Sequence, residues 1–269
     1  MGIARKFIVA GGLSLSLFSP WTASRAQEGG DVQAQILYSY QTEDINSLAS
    51  LVQTLSLQQK TDSRDAALRY HLAHAQYRMG ELLEARQKHR AEAALSDCID
   101  ETQPLVEKML KYDPDAKPDP DTKPDLHTAE ALALQSACYD RLAGLRFIES
   151  PLLRSRALER IKEALEVAPR SPRVLFIAAT EGLERAKPNS AEHQREFERL
   201  NLAAKLFDES SATGIDLPGW GHAEAYLALG RELQARGDHL GARNWIEKSL
   251  IAAPDFKAAQ RQLAGLAHP

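Results

Sequence analysis

His71 and His74 stand three residues apart, a spacing that places both imidazoles on one face of a helix, where together they could hold a metal ion. No third ligand stands near them in sequence, so the pair does not predict a metal site. Asp113 to Asp125, DPDAKPDPDTKPD, alternates aspartates as a calcium loop does, but it lacks the glycine and the closing glutamate that such a loop needs. No G-x-S-x-G elbow, H-E-x-x-H, phosphate loop or glycine-rich dinucleotide fingerprint occurs. Carboxylates alternate with bases at helix-surface spacing, as in Glu159-Arg160 and Glu247-Lys248, which is the pattern of a solvated face. The expectation is a chain that is not an enzyme and carries no cofactor and no metal. Cys98 and Cys138 are its two thiols; they suit either a disulfide in an oxidising compartment or two small buried hydrophobes.

The elements that must position these residues are helical. Of 269 residues, 43% are hydrophobic and 26% charged, and Ala, Leu, Glu, Arg and Gln recur, the residues that cost least in a helix. The first 26 residues differ. Arg5 and Lys6 precede the apolar run Phe7 to Phe18, Pro20 breaks it, and Ser24-Arg25-Ala26 places small residues one and three positions before a cut after Ala26. This reads as a secretory signal peptide, too short in its apolar part to span a bilayer, and it predicts a periplasmic or secreted protein with no integral membrane segment after cleavage. Cleavage removes Arg5, Lys6 and Arg25 and no acids, so a formal charge of −4 becomes −7, which argues against nucleic acid as a partner.

Internal similarity sets the architecture. Ser155 to Pro169 and Leu240 to Pro254 align without gaps: Ala157 with Ala242, Ile161 with Ile246, Ala164 with Ser249, Leu165 with Leu250, and Pro169 with Pro254. Small residues permit close helix packing, Ile and Leu four apart make an apolar stripe, and Pro ends the helix. From Ala223 to Asp255, the spacing of Tyr226, Leu229, Gly230, Leu233, Gly237, Ala242, Ile246, Leu250 and Pro254 resembles one tetratricopeptide repeat (TPR) almost slot for slot. Ala75 to Ala85 resembles the turn region of that family in Tyr77, Gly80 and Ala85, and Leu110 to Ala116 resembles its closing segment. The resemblance identifies a divergent, exported TPR-like chain and implies an all-α solenoid of stacked antiparallel helix pairs.

Four segments follow: the signal peptide (1–26), an N-terminal helical subdomain with one divergent TPR-like unit (31–112), an acidic Pro-rich linker (113–125) and a C-terminal TPR-like array (126–267). Within the first subdomain, Val32 to Leu57 is expected to pack as a cap. Pro104 predicts a break between a long helix near 81–99 and a short one near 103–112. Ser171-Pro172 and Pro188-Asn189-Ser190 are helix starts. The resemblance further implies a concave surface that binds a protein or peptide partner. Its slots fall on Tyr70, His71, His74, Tyr77 and Arg78, on Asp140 and Arg141, on Arg173, Phe176 and Thr180, and on Arg231 and Gln234. The family's carboxylate-binding arrangement uses Lys and Asn where this chain has Leu227 and Arg231, so that arrangement is not expected. The implied function is a non-catalytic interaction scaffold of the cell envelope. The alternative is a periplasmic accessory that presents a small molecule to a transporter component.

Overall fold

The computed structural model describes residues 21–110, 126–212 and 220–266, with side chains for 31–107, 127–210 and 220–266. Among these residues every regular element is an α-helix: α1 Trp21–Gln41, α2 Ile45–Thr61, α3 Ala66–Leu83, α4 Lys88–Leu110, α5 Leu126–Leu145, α6 Ser150–Val167, α7 Pro172–Arg185, α8 Ala191–Ala212, α9 His222–Ala235, α10 His239–Ala252 and α11 Lys257–Leu266. The apolar run of the expected signal peptide and the acidic Pro-rich segment lie outside the described residues; α1 begins before the expected cut after Ala26. No described helix is long and apolar enough to cross a membrane.

Short polar residues start the helices by accepting backbone N–H groups that have no intrahelical partner. Asp44 accepts from the Ser47 amide at 3.0 Å, Asp65 from Leu68 at 3.0 Å, Ser190 from His193 at 3.1 Å, and Asp238 from Gly241 at 2.8 Å. Ser171 caps α7 with Pro172 in its first turn, as its sequence predicts. The expected break at Pro104 does not occur: α4 is one helix from Lys88 to Leu110 with the proline inside it. Pro104 is exposed, so the Asp100 carbonyl that loses its donor can be hydrated. The preceding carbonyls are also supported from the side, because Thr102 Oγ1 donates to both Cys98 O and Ile99 O at 2.9 Å.

Consecutive helices pack as pairs, α3 on α4, α5 on α6, α7 on α8 and α9 on α10, and the pairs stack on one another with α2, α1 and α11 at the ends. The aligned segments bury equivalent positions. Ala157 and Ala242, Ile161 and Ile246, and Ala164 and Ser249 are all in the interior. Two pairs close on a glycine: a Cβ at Gly80 would lie 2.7 Å from the Leu95 side chain, and one at Gly230 would lie 2.5 Å from Ile246. We expect Gly230→Ala to destabilise the fold by about 1–3 kcal/mol, measured by urea denaturation, because Ile246 is fully buried and has little room to retreat.

The array is curled until its first and last pairs meet. Arg78 on α3 reaches Glu224 on α9 at 2.6 Å, and Trp220, just before α9, donates from Nε1 to the Tyr70 hydroxyl at 3.1 Å. Beside these contacts the Tyr40 ring of α1 lies 6.0 Å from Phe256, and Arg261 of α11 pairs with Glu43. The result is a closed turn rather than an open arc. Cys98 of α4 and Cys138 of α5 are joined by a disulfide that ties two successive pairs together.

Candidate functional site

Closure leaves a cavity of about 320 Å³ on the inner side of the turn. Its wall is built by the odd-numbered helices, mostly from their C-terminal halves. Tyr40 comes from α1, Tyr77, Arg78 and Glu81 from α3, Asp140 and Arg141 from α5, Phe176 to Glu184 from α7, and Glu224 to Glu232 from α9, while Phe256 closes the end. Side chains reach the same space from five successive odd helices because the even helices form the outer layer.

Arg78 makes the floor. Its side chain is 2% exposed, and it donates to Glu81 Oε2 at 2.7 Å, to Glu224 Oε1 at 2.6 Å and, through Nε, to His74 Nε2 at 3.1 Å. The guanidinium also lies 4.2 Å from the Tyr40 ring centroid. Glu224 serves a second purpose: its other oxygen accepts the Gly221 amide at 3.0 Å and so starts α9. Gly221 sits at φ 98, a left-handed conformation, and a Cβ there would lie 2.7 Å from the Phe207 ring. His74 stacks on Trp220 with ring centroids 4.9 Å apart, and Arg173 pairs with Glu130 at 2.7 Å below the same indole. Burial, then the neighbouring Arg78, holds the His74 imidazole well below its ordinary pKa. It is therefore neutral, accepts from Arg78 at Nε2 and carries its proton on Nδ1.

The residues expected from sequence to face a partner thus divide. Tyr77, Arg78, Arg141, Phe176 and Arg231 line the cavity, with Asp140 and Thr180. Tyr70, His74 and Arg173 lie in the interior, committed to Trp220 and Glu130. His71 is half-buried beside Tyr70 and does not line the cavity, and Gln234 bonds Gln262 of α11 outside it. Sequence reasoning missed Tyr40, Glu81, Glu181, Glu224 and Phe256. Tyr40 lies on α1 and Phe256 immediately before α11, at the ends of the array that resemble no repeat, and nothing local announces that residues over 200 positions apart will meet. Among the described residues no group of three or more His, Cys, Asp or Glu side chains could hold a metal ion.

Electrostatically the wall is a network of shared charges. Arg141 leans on Glu81 at 3.3 Å and on Glu84 at 3.6 Å, and Arg185 lies between Asp140 at 3.4 Å and Glu181 at 3.3 Å. Burial first, then Asp140, pushes the Glu181 carboxyl up to about 8 against an ordinary 4.5, although Ser136 donates to it at 2.8 Å. A carboxyl raised in the folded state binds more protons folded than unfolded between those two values, so its contribution to stability falls as pH rises from about 4.5 to about 8. Glu181→Gln should flatten the stability profile across that window, with its largest relative gain at the alkaline end. Urea midpoints at several pH values measure this, and an unchanged slope would refute it. The arrangement can bind charged and polar groups, and its buried carboxylates are already engaged with arginines or a serine.

No family model matches the chain, and neither does any curated protein. Among solved structures it is similar to the crystal structure of the yeast Tom70, at 13% identity and a TM-score of 0.23. That alignment covers 97% of this chain and 66% of the other. A TM-score of that size is too low for a shared overall shape, so the description of the fold rests on the helix pairing itself.

Proposed function

We propose that this chain is an exported, non-catalytic TPR-like scaffold whose closed helical turn takes a short segment of a protein partner into its central cavity. The observation that carries the reading is the convergence of charged and hydroxyl-bearing side chains from five odd helices on one space, with Arg231 and Glu184 exposed at its open side. Peptide groups and polar side chains suit such a lining better than an apolar ligand does. Export is supported by the basic start and apolar run of residues 1–26 and by the disulfide, a bond that persists in oxidising compartments. A non-catalytic role is supported by the pairing of most cavity carboxylates among the described residues: Glu81 and Glu224 with Arg78, Asp140 and Glu181 with Arg185, and Glu232 with Arg236.

The test is a photo-reactive residue at Thr180, in the cavity wall, and at Lys162, exposed on the outer helix α6, in cells that export the protein. A defined adduct from Thr180 and none from Lys162 is expected; uncross-linked protein from both would overturn the reading. The second reading, presentation of a small molecule, is favoured by the size of the cavity, at the lower end of the roughly 300–1,000 Å³ range of small-ligand sites. Native mass spectrometry that finds a co-purifying small ligand would select it.

A further inference from the structure

The turns that join paired helices lie along one edge of the array, and one of them departs from the others. The α3–α4, α7–α8 and α9–α10 turns expose polar residues, Arg86-Gln87, Lys187-Pro188-Asn189 and Gly237-Asp238, as turns ordinarily do. The α5–α6 turn instead presents Phe147 at 91% exposure and Ile148 at 92%, and Leu152 in the first turn of α6 is exposed as well. Its backbone is fixed: the Arg146 amide donates to Leu142 O at 2.9 Å, Ser150 to Phe147 O at 3.4 Å and Leu153 to Glu149 O at 3.0 Å. Two large adjacent apolar side chains are thus held away from the core, and clustered apolar exposure of this kind marks a contact surface.

Cations flank this tip. Arg146 reaches back to α4, with Nε 3.8 Å from Glu92 Oε2 and Nη2 donating to Ser96 Oγ at 3.3 Å, and Lys88 Nζ lies 3.7 Å from the other oxygen of Glu92. The start of α4 is therefore next to the α5–α6 turn, and it brings the exposed Arg86, Lys88 and Arg90 to the same edge. Arg154, exposed in the second turn of α6, adds a cation on the other side. Residues 85–92 and 146–154 hold five arginines and lysines against two glutamates, in a chain whose formal charge is −4. Both of those glutamates, Glu92 and Glu149, lie against Arg146. We propose that this edge rests on an anionic phospholipid surface, with Phe147, Ile148 and Leu152 entering the interface and Arg86, Lys88, Arg90 and Arg154 against the lipid phosphates. An apolar centre flanked by cations is complementary to acyl chains beneath a layer of phosphate, and the apolar and electrostatic attractions add. Three side chains at one turn give a peripheral attachment, not a span. The surface uses no residue of the cavity wall and is independent of what the cavity takes.

The experiment sediments the protein, purified after export, with vesicles of equal parts phosphatidylglycerol and phosphatidylcholine or of phosphatidylcholine alone. Binding is expected to the mixed vesicles and to be about tenfold or more weaker to the neutral ones, since the attraction of several cations is then lost. Phe147→Ser combined with Ile148→Ser should weaken binding to the mixed vesicles by about tenfold or more. Arg86→Gln combined with Lys88→Gln and Arg90→Gln should weaken it by about fivefold per cation. Leu57→Ser, which removes an exposed apolar side chain from α2, should leave it unchanged. All of these positions are exposed, so thermal midpoints should stay within about 1–2 °C of the parent. In Phe147→Trp, brominated phosphatidylcholine in the mixed vesicles should quench the added indole beyond any quenching in the parent protein. No sedimentation with either vesicle, equal binding to both, or binding unchanged in either multiple variant would overturn the assignment. A photo-adduct to a protein from position 147 without vesicle binding would overturn it too, and would make the tip a protein contact.

Discussion

Replacing Arg78 by methionine should cost about 3–5 kcal/mol, the range found when one member of a buried ion pair is removed. The methionine nearly fills the arginine's volume, so the loss is not that of a cavity. It is the cost of leaving Glu81 and Glu224 without their shared cation, with Glu224 6% exposed and Glu81 12%. Because Arg78 joins α3 to α9, the effect goes beyond local stability: the two ends of the array lose their only buried charge contact among the described residues. Urea denaturation measures the first effect, and small-angle scattering the second as an increase in radius of gyration. Arg78→Met combined with Glu224→Gln should recover part of the loss, because the uncompensated carboxylate is then gone. Arg78→Lys should recover less, since one ammonium cannot serve Glu81, Glu224 and His74 at once. If Arg78→Met unfolds with wild-type midpoint and slope, the pair does not hold the turn closed.

The second large effect is expected at the disulfide. Cys98 and Cys138 are both 0% exposed, and their bond closes a loop across 40 residues. The chain-entropy model gives such a closure about 4 kcal/mol, because the denatured chain loses the freedom to separate those points. The loop includes 113–125, the segment that the sequence marks as an acidic Pro-rich linker, and the bond ties α4 to α5 across it. Cys98→Ala combined with Cys138→Ala should therefore lower the urea midpoint by an amount equivalent to about 4 kcal/mol, while reductant leaves the double variant unaffected. Mass spectrometry of the unreduced protein should find no free thiol. Two free thiols and an unchanged midpoint would sink the prediction and remove one support for an oxidising compartment.

Much of the local structure is legible in the residues. Ser171-Pro172 and Ser190 start helices where their chemistry says they should, and Ala157/Ala242 and Ile161/Ile246 are buried as their alignment requires. Pro104 shows the limit of the same reasoning. A proline removes one hydrogen bond and breaks a helix when the freed carbonyl has nowhere to turn, but on an exposed face, beside a threonine that bridges the neighbouring carbonyls, the helix continues. Whether that holds depends on which way the residue faces.

The candidate site divides along the same line. Tyr77, Arg141, Phe176 and Arg231 reach the cavity because they occupy inward slots of odd helices, and a helical period of 3.6 residues makes inward slots readable. His74 and Tyr70 occupy equally inward slots of α3 and are nevertheless sealed beneath Trp220, a residue about 150 positions away. Pairing of helices, their caps and their inner faces follow from interactions within one or two turns, which spacing records directly. Closure of the array follows from small rotations summed over successive pairs, and its seal is a contact between α3 and α9 that no local pattern encodes. The tertiary structure alone therefore decides which inward residues are buried and which line the cavity, and that Arg231 lines it with no ion pair among the described residues.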